Sequence, residues 1–529
     1  GVQLTQLVLD HDEVVRGSTR DLRVWFFCLK QAPGADIYNA VGRPWHARDF
    51  PERELGTGAH WLVLTVQGMG DLNAVDIAQC THEAILVNNG AFPLETVLRY
   101  GQPVPEGPLW TGVYVDDHLA VLRLPRSQLQ LPVCELADGL LEKRVENAYL
   151  ITDGVDEAPE KRHLFKTEFL GWGTAVDGDA GTAGTGRGKL NALSCAFFMQ
   201  SQRKYVWKKV MERLAHSATH PIMHRRELFS IFFYSYAFIN EMDYDKMYFL
   251  PAAVSDELVY AALLLPLAYA DLRWPVSPDL LATDATPVAR GSTIVTVPKE
   301  IAKKFYIRSE HRGDYVRMDW DDEGEYGNHQ VVRPAGEVFE AAVAGLPWRC
   351  LGGGYFRKRE HVNVQELEAL KFEVKRRVRN SGGVGIRQVV VIDSRVVVGC
   401  WGKGRSSSWR LNTALRGGLA WSVLGRVKTV VMWIGTKINP ADDPSRFVEL
   451  RAPAPMPPWI ATAFSQDPVL AEVAQSRPKN PKPDGQMNNC GKRTLCEPAV
   501  IYTNELEMNY DGIGPSVKKI FPMARTCLA

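Results

Sequence analysis

The chain has 529 residues, 45% of them hydrophobic, and carries 62 basic against 61 acidic side chains for a formal charge of +1. That length predicts roughly three or four domains, the apolar content suffices for separate cores, and the charge balance does not mark the whole chain as a nucleic-acid binder. The nine cysteines lack paired metal spacing, Cys490 and Cys496 having the wrong interval for a zinc knuckle, and they predict reduced thiols in an intracellular protein. No membrane is expected, because the most apolar run, 261–270, is broken by Pro266 and too short to cross a bilayer.

The first chemistry-bearing segment is Thr19-Arg20-Asp21-Leu22-Arg23-Val24-Trp25-Phe26-Phe27-Cys28-Leu29. It sets one carboxylate at the head of an aromatic-rich stretch that reads either as a buried strand or as a short turn of helix. Taken alone, Asp21 caps a helix as readily as it binds a metal. Val66-Gln67-Gly68-Met69-Gly70-Asp71 follows, ahead of a helix predicted over 75–86. Its glycines let backbone approach a ligand, and the helix start offers free N–H groups to a phosphate or a base. Two strands, Thr111 to Val115 and Leu119 to Leu124, put Asp116 and Asp117 of Tyr114-Val115-Asp116-Asp117 at the tip of a tight hairpin. Asp is common in turns. Two adjacent carboxylates nevertheless repel unless a cation sits between them, and Mg²⁺ takes one or two carboxylates together with phosphate oxygens. Phe165-Lys166-Thr167-Glu168-Phe169-Leu170-Gly171-Trp172-Gly173 reads as a strand ending at a glycine turn. The Gly-, Thr- and Ala-rich stretch 177–189 is expected to be a flexible connection. Residues 190–272 are expected to be largely helical, with amphipathic stretches over 206–215 and 225–239. The aromatic cluster Phe229, Phe232, Phe233, Tyr234, Tyr236 and Phe238 reads as core before base-stacking platform.

A second acidic set follows. Asp284 closes a strand that leads into another over 291–297, and Glu366 lies on a helix over 361–370, sharing a face with Ala369 and Leu370. Asp393 stands at the carboxyl end of the buried strand Val389-Val390-Val391-Ile392, the end where open α/β sheets bind ligands. Another buried strand, 430–434, precedes Asn439-Pro440-Ala441-Asp442-Asp443-Pro444-Ser445-Arg446. Two metal ions about 4 Å apart need carboxylates converging from different elements, which a solvated surface does not. Asp443 reads better as a helix-start carboxylate. Basic residues gather in two runs, Lys204, Lys208, Lys209, Arg213, Arg225 and Arg226, then Lys375, Arg376, Arg377, Arg379, Arg387 and Lys403. Such runs serve equally as solvated helix faces or as neutralisers of hybrid phosphates. Beyond Arg446, the proline-rich stretches 452–458 and 478–483 and the lack of periodicity predict a mostly disordered tail.

In this order, the first four segments resemble the palm motifs of reverse transcriptases: an Asp followed five positions later by a bulky aromatic, a Gln-Gly segment, a Tyr-x-Asp-Asp hairpin and a Phe-Leu-Gly primer grip. The later acids resemble the Asp, Glu, Asp, Asp pattern of RNase H, and the Asn-Pro-Ala-Asp-Asp-Pro-Ser-Arg ending resembles retrotransposon RNase H domains, those of DIRS-like and related elements most closely. The resemblance implies an α+β chain. A polymerase palm of antiparallel sheet plus helices, with truncated fingers, would occupy 1–175, and a mostly helical thumb and connection 176–275. An α/β RNase H-like domain would occupy 276–450, and the tail 451–529. The implied activity is that of an RNA-directed DNA polymerase of a retroelement polyprotein, with RNase H, using two Mg²⁺ (or Mn²⁺) per active site. Asp21, Asp116 and Asp117 would hold the first pair, and Asp284, Glu366, Asp393 and Asp442 the second. Phe26 would exclude a ribose 2′-hydroxyl, Gln67, Gly68 and Tyr114 would contact nucleotide and template, and Lys166 and Gly171 the primer. Implied partners are an RNA template, a DNA primer, their hybrid, deoxynucleoside triphosphates and other parts of the polyprotein.

Two features depart from the family pattern. The interval of 82 residues from position 284 to 366 implies an insertion within 299–348, and the loop 435–438 has no histidine where many such domains carry one. Few residues precede Asp21, so fingers that grip the triphosphate are expected to be missing from this piece. A decayed, non-catalytic nucleic-acid-binding remnant and a nuclease acting through the second domain alone stay open as alternatives.

Overall fold

The structure is a computed structural model, and it describes residues 1–470 apart from 33, 54–55, 313–335, 381–383 and 468–469. The chain divides into two compact units, 1–184 and 185 onward.

In chain order the first unit comprises β1 (Glu13–Asp21), the short helix α1 (Trp25–Cys28), the exposed ribbon β2 (Ala40–His46) and β3 (Ala59–Val63), and helix α2 (Ala74–Asn88). Then come β4 (Leu109–Tyr114), β5 (Asp117–Pro125), α3 (Ala137–Ile151), β6 (His163–Lys166) and the meander β7 (Glu168–Gly171), β8 (Thr174–Asp177) and β9 (Thr182–Gly184). The central sheet runs β4-β5-β1-β6, antiparallel throughout. Leu22 and Trp25 join Ala78 and Leu86 of α2, Val113 and Ala120 of the sheet, and Leu141 and Val145 of α3 in one apolar core. Polar cross-links run through the same layer. Arg16 and Arg20, four apart on β1, pair with Asp138 and Glu142, four apart on α3, at 2.6 and 2.7 Å, with all four side chains buried. The period of two on the strand and of 3.6 on the helix puts each pair on one face.

The expected flexible connection, 177–189, is structured instead: β9 forms inside it and the next helix begins at Arg187. Its small residues serve close packing, since a Cβ on Gly178 would stand 1.7 Å from the Val15 carbonyl oxygen.

The second unit opens with α4 (Arg187–Ser201), β10 (Tyr205–Trp207), α5 (Lys208–Met223), α6 (Tyr234–Glu241), β11 (Met247–Phe249), α7 (Ala252–Leu264) and the short strand β12 (Tyr269–Asp271). The helix expected from 206 starts at Lys208, because Tyr205-Val206-Trp207, aromatic and β-branched, pairs with β11 as a ribbon. The stretch 225–239 is likewise split, into a 3₁₀ turn at Arg226–Ile231 and α6. Phe229 and Phe232 lie in the core of this helical half, with Tyr234, Tyr236 and Phe238 packed against it.

The remainder comprises β13 (Asp279–Ala285), β14 (Ala289–Thr296), α8 (Lys299–Arg308), α9 (Glu337–Gly345), β15 (Arg349–Tyr355), α10 (Val362–Arg379) and β16 (Ile386–Ile392). After these come α11 (Arg395–Lys403), α12 (Trp409–Leu424), β17 (Val427–Trp433), α13 (Asp442–Ser445) and α14 (Pro458–Gln466). The sheet order is β15-β14-β13-β16-β17, with β13, β16 and β17 parallel and β14 and β15 antiparallel to their neighbours. Strand β16 is buried at every position, as expected for its apolar run 389–392, and Arg387 and Gln388 are buried with it. Val390 and Ile392 face a core shared with α10, α11 and α12. On the opposite face Arg387 bonds the Tyr306 hydroxyl of α8 and the Asp271 carbonyl oxygen. Helix α8 therefore belongs to the segment between β14 and β15 where an insertion was expected, and it covers the sheet's second face; much of the rest, 313–335, lies outside the described residues.

The proline-rich tail departs from expectation over α14. Ile460 and Phe464, one turn apart, are fully buried, and the Trp459 ring lies against Phe339 of α9, so a single apolar stripe suffices to fold this stretch onto the unit. Cys490, Cys496 and the rest of the segment beyond residue 470 lie outside the described residues.

Candidate active sites: two clusters of carboxylates

Strands β13 and β16 are parallel neighbours, so their carboxyl ends lie side by side. Asp284 is the penultimate residue of β13, and Asp393 directly follows β16. The start of α10 brings in Glu366 from a third element. One carboxylate oxygen from each of Asp284, Glu366 and Asp393 falls within 4.8 Å of the others, and among the described residues no other three such side chains come this close.

The electrostatics of this trio are those of an acid cluster suited to a cation. Burial, and after it the carboxylates of Asp284 and Asp393, push the Glu366 carboxyl up to about 9, and its Oε2 is buried without a hydrogen-bond partner. Burial also pushes Asp284 up to about 6, against a hydrogen bond from Ser445. It raises Asp393 as well, while Thr436 and Asn439 donate to that carboxylate and partly offset the shift. A hard, all-oxygen donor set with an unsatisfied buried acceptor fits Mg²⁺ or Mn²⁺.

Asp442 is not brought into this group. Its carboxylate accepts from Arg446 Nε at 2.8 Å and lies 3.6 Å from Arg451, close enough for its charge to be felt by Asp284 and Glu366. Asp443 is engaged by Arg451 through bonds of 2.7 and 2.8 Å. Burial would raise that carboxyl, but Arg451 outweighs it and holds Asp443 below the ordinary range. Three positioning residues were not singled out in the sequence: Thr436, Asn439 and Ser445. Asn439, fully buried, also donates to the Thr283 carbonyl at 3.1 Å, so one amide ties the loop to the strand that carries Asp284. The signal was present in Asn439 and Ser445, which lie inside the acidic motif, but polar residues in a loop are read by default as turn formers. Gly291 completes the fit, because a Cβ there would stand 2.3 Å from the Ser445 nitrogen.

The first unit gathers a second set. Asp21 and Asp117 sit directly opposite one another on β1 and β5, and Asp116 occupies the two-residue turn between β4 and β5. Val115, the other turn residue, has φ +61°, a left-handed conformation disfavoured for a β-branched side chain. Helix α2 holds it there. The Gln79 side chain accepts from the Val115 N–H at 2.8 Å, and a ring nitrogen of His82 lies 2.9 Å from the Val115 carbonyl oxygen. Burial and then Asp116 and Asp21 push Asp117 up to about 6; burial also raises Asp116. Lys161 donates to Asp21 at 2.8 Å, so a protein cation already neutralises part of this cluster.

The other expected contacts are spread around it. Phe26, on α1, is half-buried against the core. Gln67 is buried and its N–H donates to the Leu29 carbonyl, while the Gly68 N–H donates to Asp71 at 2.9 Å. Tyr114 is exposed beside the turn, Lys166 is exposed at the end of β6, and Gly171 ends β7 with Leu119 packed where its Cβ would be. The two basic runs divide between roles. Arg225, Arg376 and Arg377 are engaged by Glu227, Glu373 and Asp279 at 2.9, 2.6 and 3.1 Å, and Arg387 is fully buried, so these four serve the fold. Lys204 and Lys209 are exposed.

No family model matches this chain, and no curated protein matches it. Among solved structures, it is similar to a foamy viral protease-reverse transcriptase, designated dRH, in complex with double-stranded DNA, at 13% identity and a TM-score of 0.38 over 81% of this chain and 58% of that one. It is similar to the foamy viral protease-reverse transcriptase with an RNA/DNA hybrid at 11% identity and a TM-score of 0.36, covering 82% of this chain and 66% of that one. With double-stranded DNA the corresponding values are 13%, 0.36, 81% and 69%. The chain thus spans 58% of the length of the first of these proteins.

Proposed function

We propose that this chain is a retroelement-derived RNA-directed DNA polymerase with RNase H activity, acting on RNA–DNA hybrids by metal-dependent phosphoryl transfer. The observation that carries the reading is the meeting of Asp284, Glu366 and Asp393 from three separate elements within 4.8 Å, with a buried oxygen of Glu366 left over. These three residues would hold the divalent ions, which when bound supply an activated water and steady the leaving oxygen. The chain's own groups do the rest. Asn439 and Thr436 orient Asp393, Ser445 orients Asp284, and Glu366, its carboxyl pushed up by burial and its acidic neighbours, would offer its unpartnered buried oxygen to the ion. In the first unit, Asp21, Asp116 and Asp117 are the corresponding ligands for polymerisation, supported by the Asp21–Asp117 register and the turn that presents Asp116. The palm then occupies the first unit, and the thumb, connection and RNase H-like fold the second.

One observation favours a narrower second reading, a nuclease acting through the later site alone: Lys161 occupies Asp21 in the first cluster, whereas the second has an unsatisfied buried acceptor. Both activities are measured on the same chain. Cleavage of labelled RNA in a hybrid with Mg²⁺ is expected to fall more than ~100-fold in Asp393→Asn, beyond the range for a neighbour that merely orients a ligand, and to survive Asp116→Asn. Primer extension on an RNA template is expected to show the reverse. Extension no higher than that of Asp116→Asn leaves the nuclease reading; cleavage untouched by Asp393→Asn sinks both.

A further inference from the structure

We infer that the ribbon of β10 and β11 is a stacking surface for single-stranded nucleic acid; this deepens the proposed function and rests on it for its biological sense. The two strands pair with Tyr205 opposite Phe249, Val206 opposite Tyr248 and Trp207 opposite Met247. Successive side chains of a strand point to opposite faces. Val206 accordingly lies in the core with Tyr248 packed beside it. Tyr205, Trp207, Met247 and Phe249 form the other face, and they are 56, 44, 53 and 64% exposed. Large apolar side chains gathered on one outward face mark a binding surface, unlike the same residues scattered singly.

The chemistry of this face selects its occupant. Three of its four side chains are aromatic; the Tyr205 and Phe249 rings meet edge to face with centroids 5.9 Å apart, which covers one ring face, and the exposure of both residues leaves the remaining ring surface open to solvent. Tyr205 and Trp207 are two residues apart on one strand, about 7 Å, which leaves room for one flat base in van der Waals contact on both sides. Positive charge flanks the ribbon. Arg203, Lys204 and Lys209 are exposed, and among the described residues none of them forms an ion pair. Of the nearby acids, Asp243 holds Lys246 at 2.7 Å and Glu212 accepts from the Tyr244 hydroxyl at 2.9 Å, which leaves Asp245, exposed ahead of β11, against the three cations. Aromatic faces beside unpaired cations are the combination that binds single strands without regard to sequence. A purely apolar protein partner has no use for the lysines, and a duplex has no exposed base faces to offer.

The test uses the full chain and a fluorescein-labelled oligo(dT), followed by anisotropy, with circular dichroism to check folding of each variant. Because the side chains are exposed, the variants are expected to fold. Each ring removed, Trp207→Ala or Phe249→Ala, is expected to weaken binding roughly tenfold. Lys204→Gln with Lys209→Gln is expected to lower the dependence of log affinity on log salt by about 0.7 for each phosphate no longer neutralised. Trp207→Leu separates stacking from apolar packing, since leucine keeps the hydrophobic surface and lacks the π-face. Reduced affinity in Trp207→Leu supports the inference. Unchanged affinity in the double variant Trp207→Ala, Phe249→Ala, or full affinity in Trp207→Leu, overturns it and leaves the face to a protein partner. Asp116→Asn and Asp393→Asn are run beside these, and because neither changes a residue of the ribbon, their activity can fail while oligonucleotide binding persists.

Discussion

At the scale of single residues, burial decides which carboxylates matter. Glu366 and Asp443 both lie in the same acidic region, yet the first is pushed up to about 9 by burial and acidic neighbours and the second is held low by Arg451. A carboxyl whose folded pKa is raised binds more protons in the folded than in the unfolded state, so stability falls as pH rises from about 4.5 toward about 9. Glu366→Gln removes that titration while keeping the shape. In EDTA at pH 8 the variant is therefore expected to melt several degrees above the parent chain; an equal or lower melting temperature would show that Glu366 is not under this strain. His82 runs the other way. Burial lowers it to about 4, so the folded state lacks a proton that the unfolded state takes up below about 6.5. Stability is lost as pH falls through that window, on the order of 2 kcal/mol between pH 7 and pH 5. Denaturant unfolding at the two pH values should show this loss shrinking in His82→Gln.

At the scale of elements, the sequence announced the strands better than their company. The run 389–392 and the two short strands either side of the Asp116–Asp117 turn are local signals, and β16, β4 and β5 follow them closely. The strand β10 falls inside a stretch expected to be helical, because an aromatic and β-branched triplet is too short for its period to register. The small helix α13 shows what packing adds: it lies so close to β14 that Gly291 has no room for a Cβ. Gly291→Ala is expected to push α13 away, costing about 1–3 kcal/mol by overpacking, and to cut hybrid cleavage because Ser445 moves with it. Unfolding free energy and cleavage rate measured together check this, and a stable variant with normal cleavage would count against the packing argument. The pairing of Arg16 and Arg20 with α3 had no sequence signal, since the partners lie more than a hundred residues apart.

At the scale of the molecule, two compact units each carry their own acids, and no helix among the described residues is long and apolar enough to cross a membrane. If the units unfold separately, calorimetry resolves two transitions. Mg²⁺ is then expected to raise the one belonging to the second unit more, and Glu366→Gln to abolish that rise; an undiminished rise in the variant would place the ion elsewhere. The amino-acid sequence by itself determined the chemistry-bearing residue types, their order, and most of the strands and helices that carry them, because hydrophobic period and turn chemistry are local. Only the tertiary structure decided which acids meet. Asp284, Glu366 and Asp393 converge because parallel strands align their carboxyl ends and α10 crosses beside them, while Asp442, within the same motif, is held by Arg446 and Arg451. Convergence, burial and a neighbouring counter-charge are properties of three-dimensional distance, and one-dimensional spacing does not contain them.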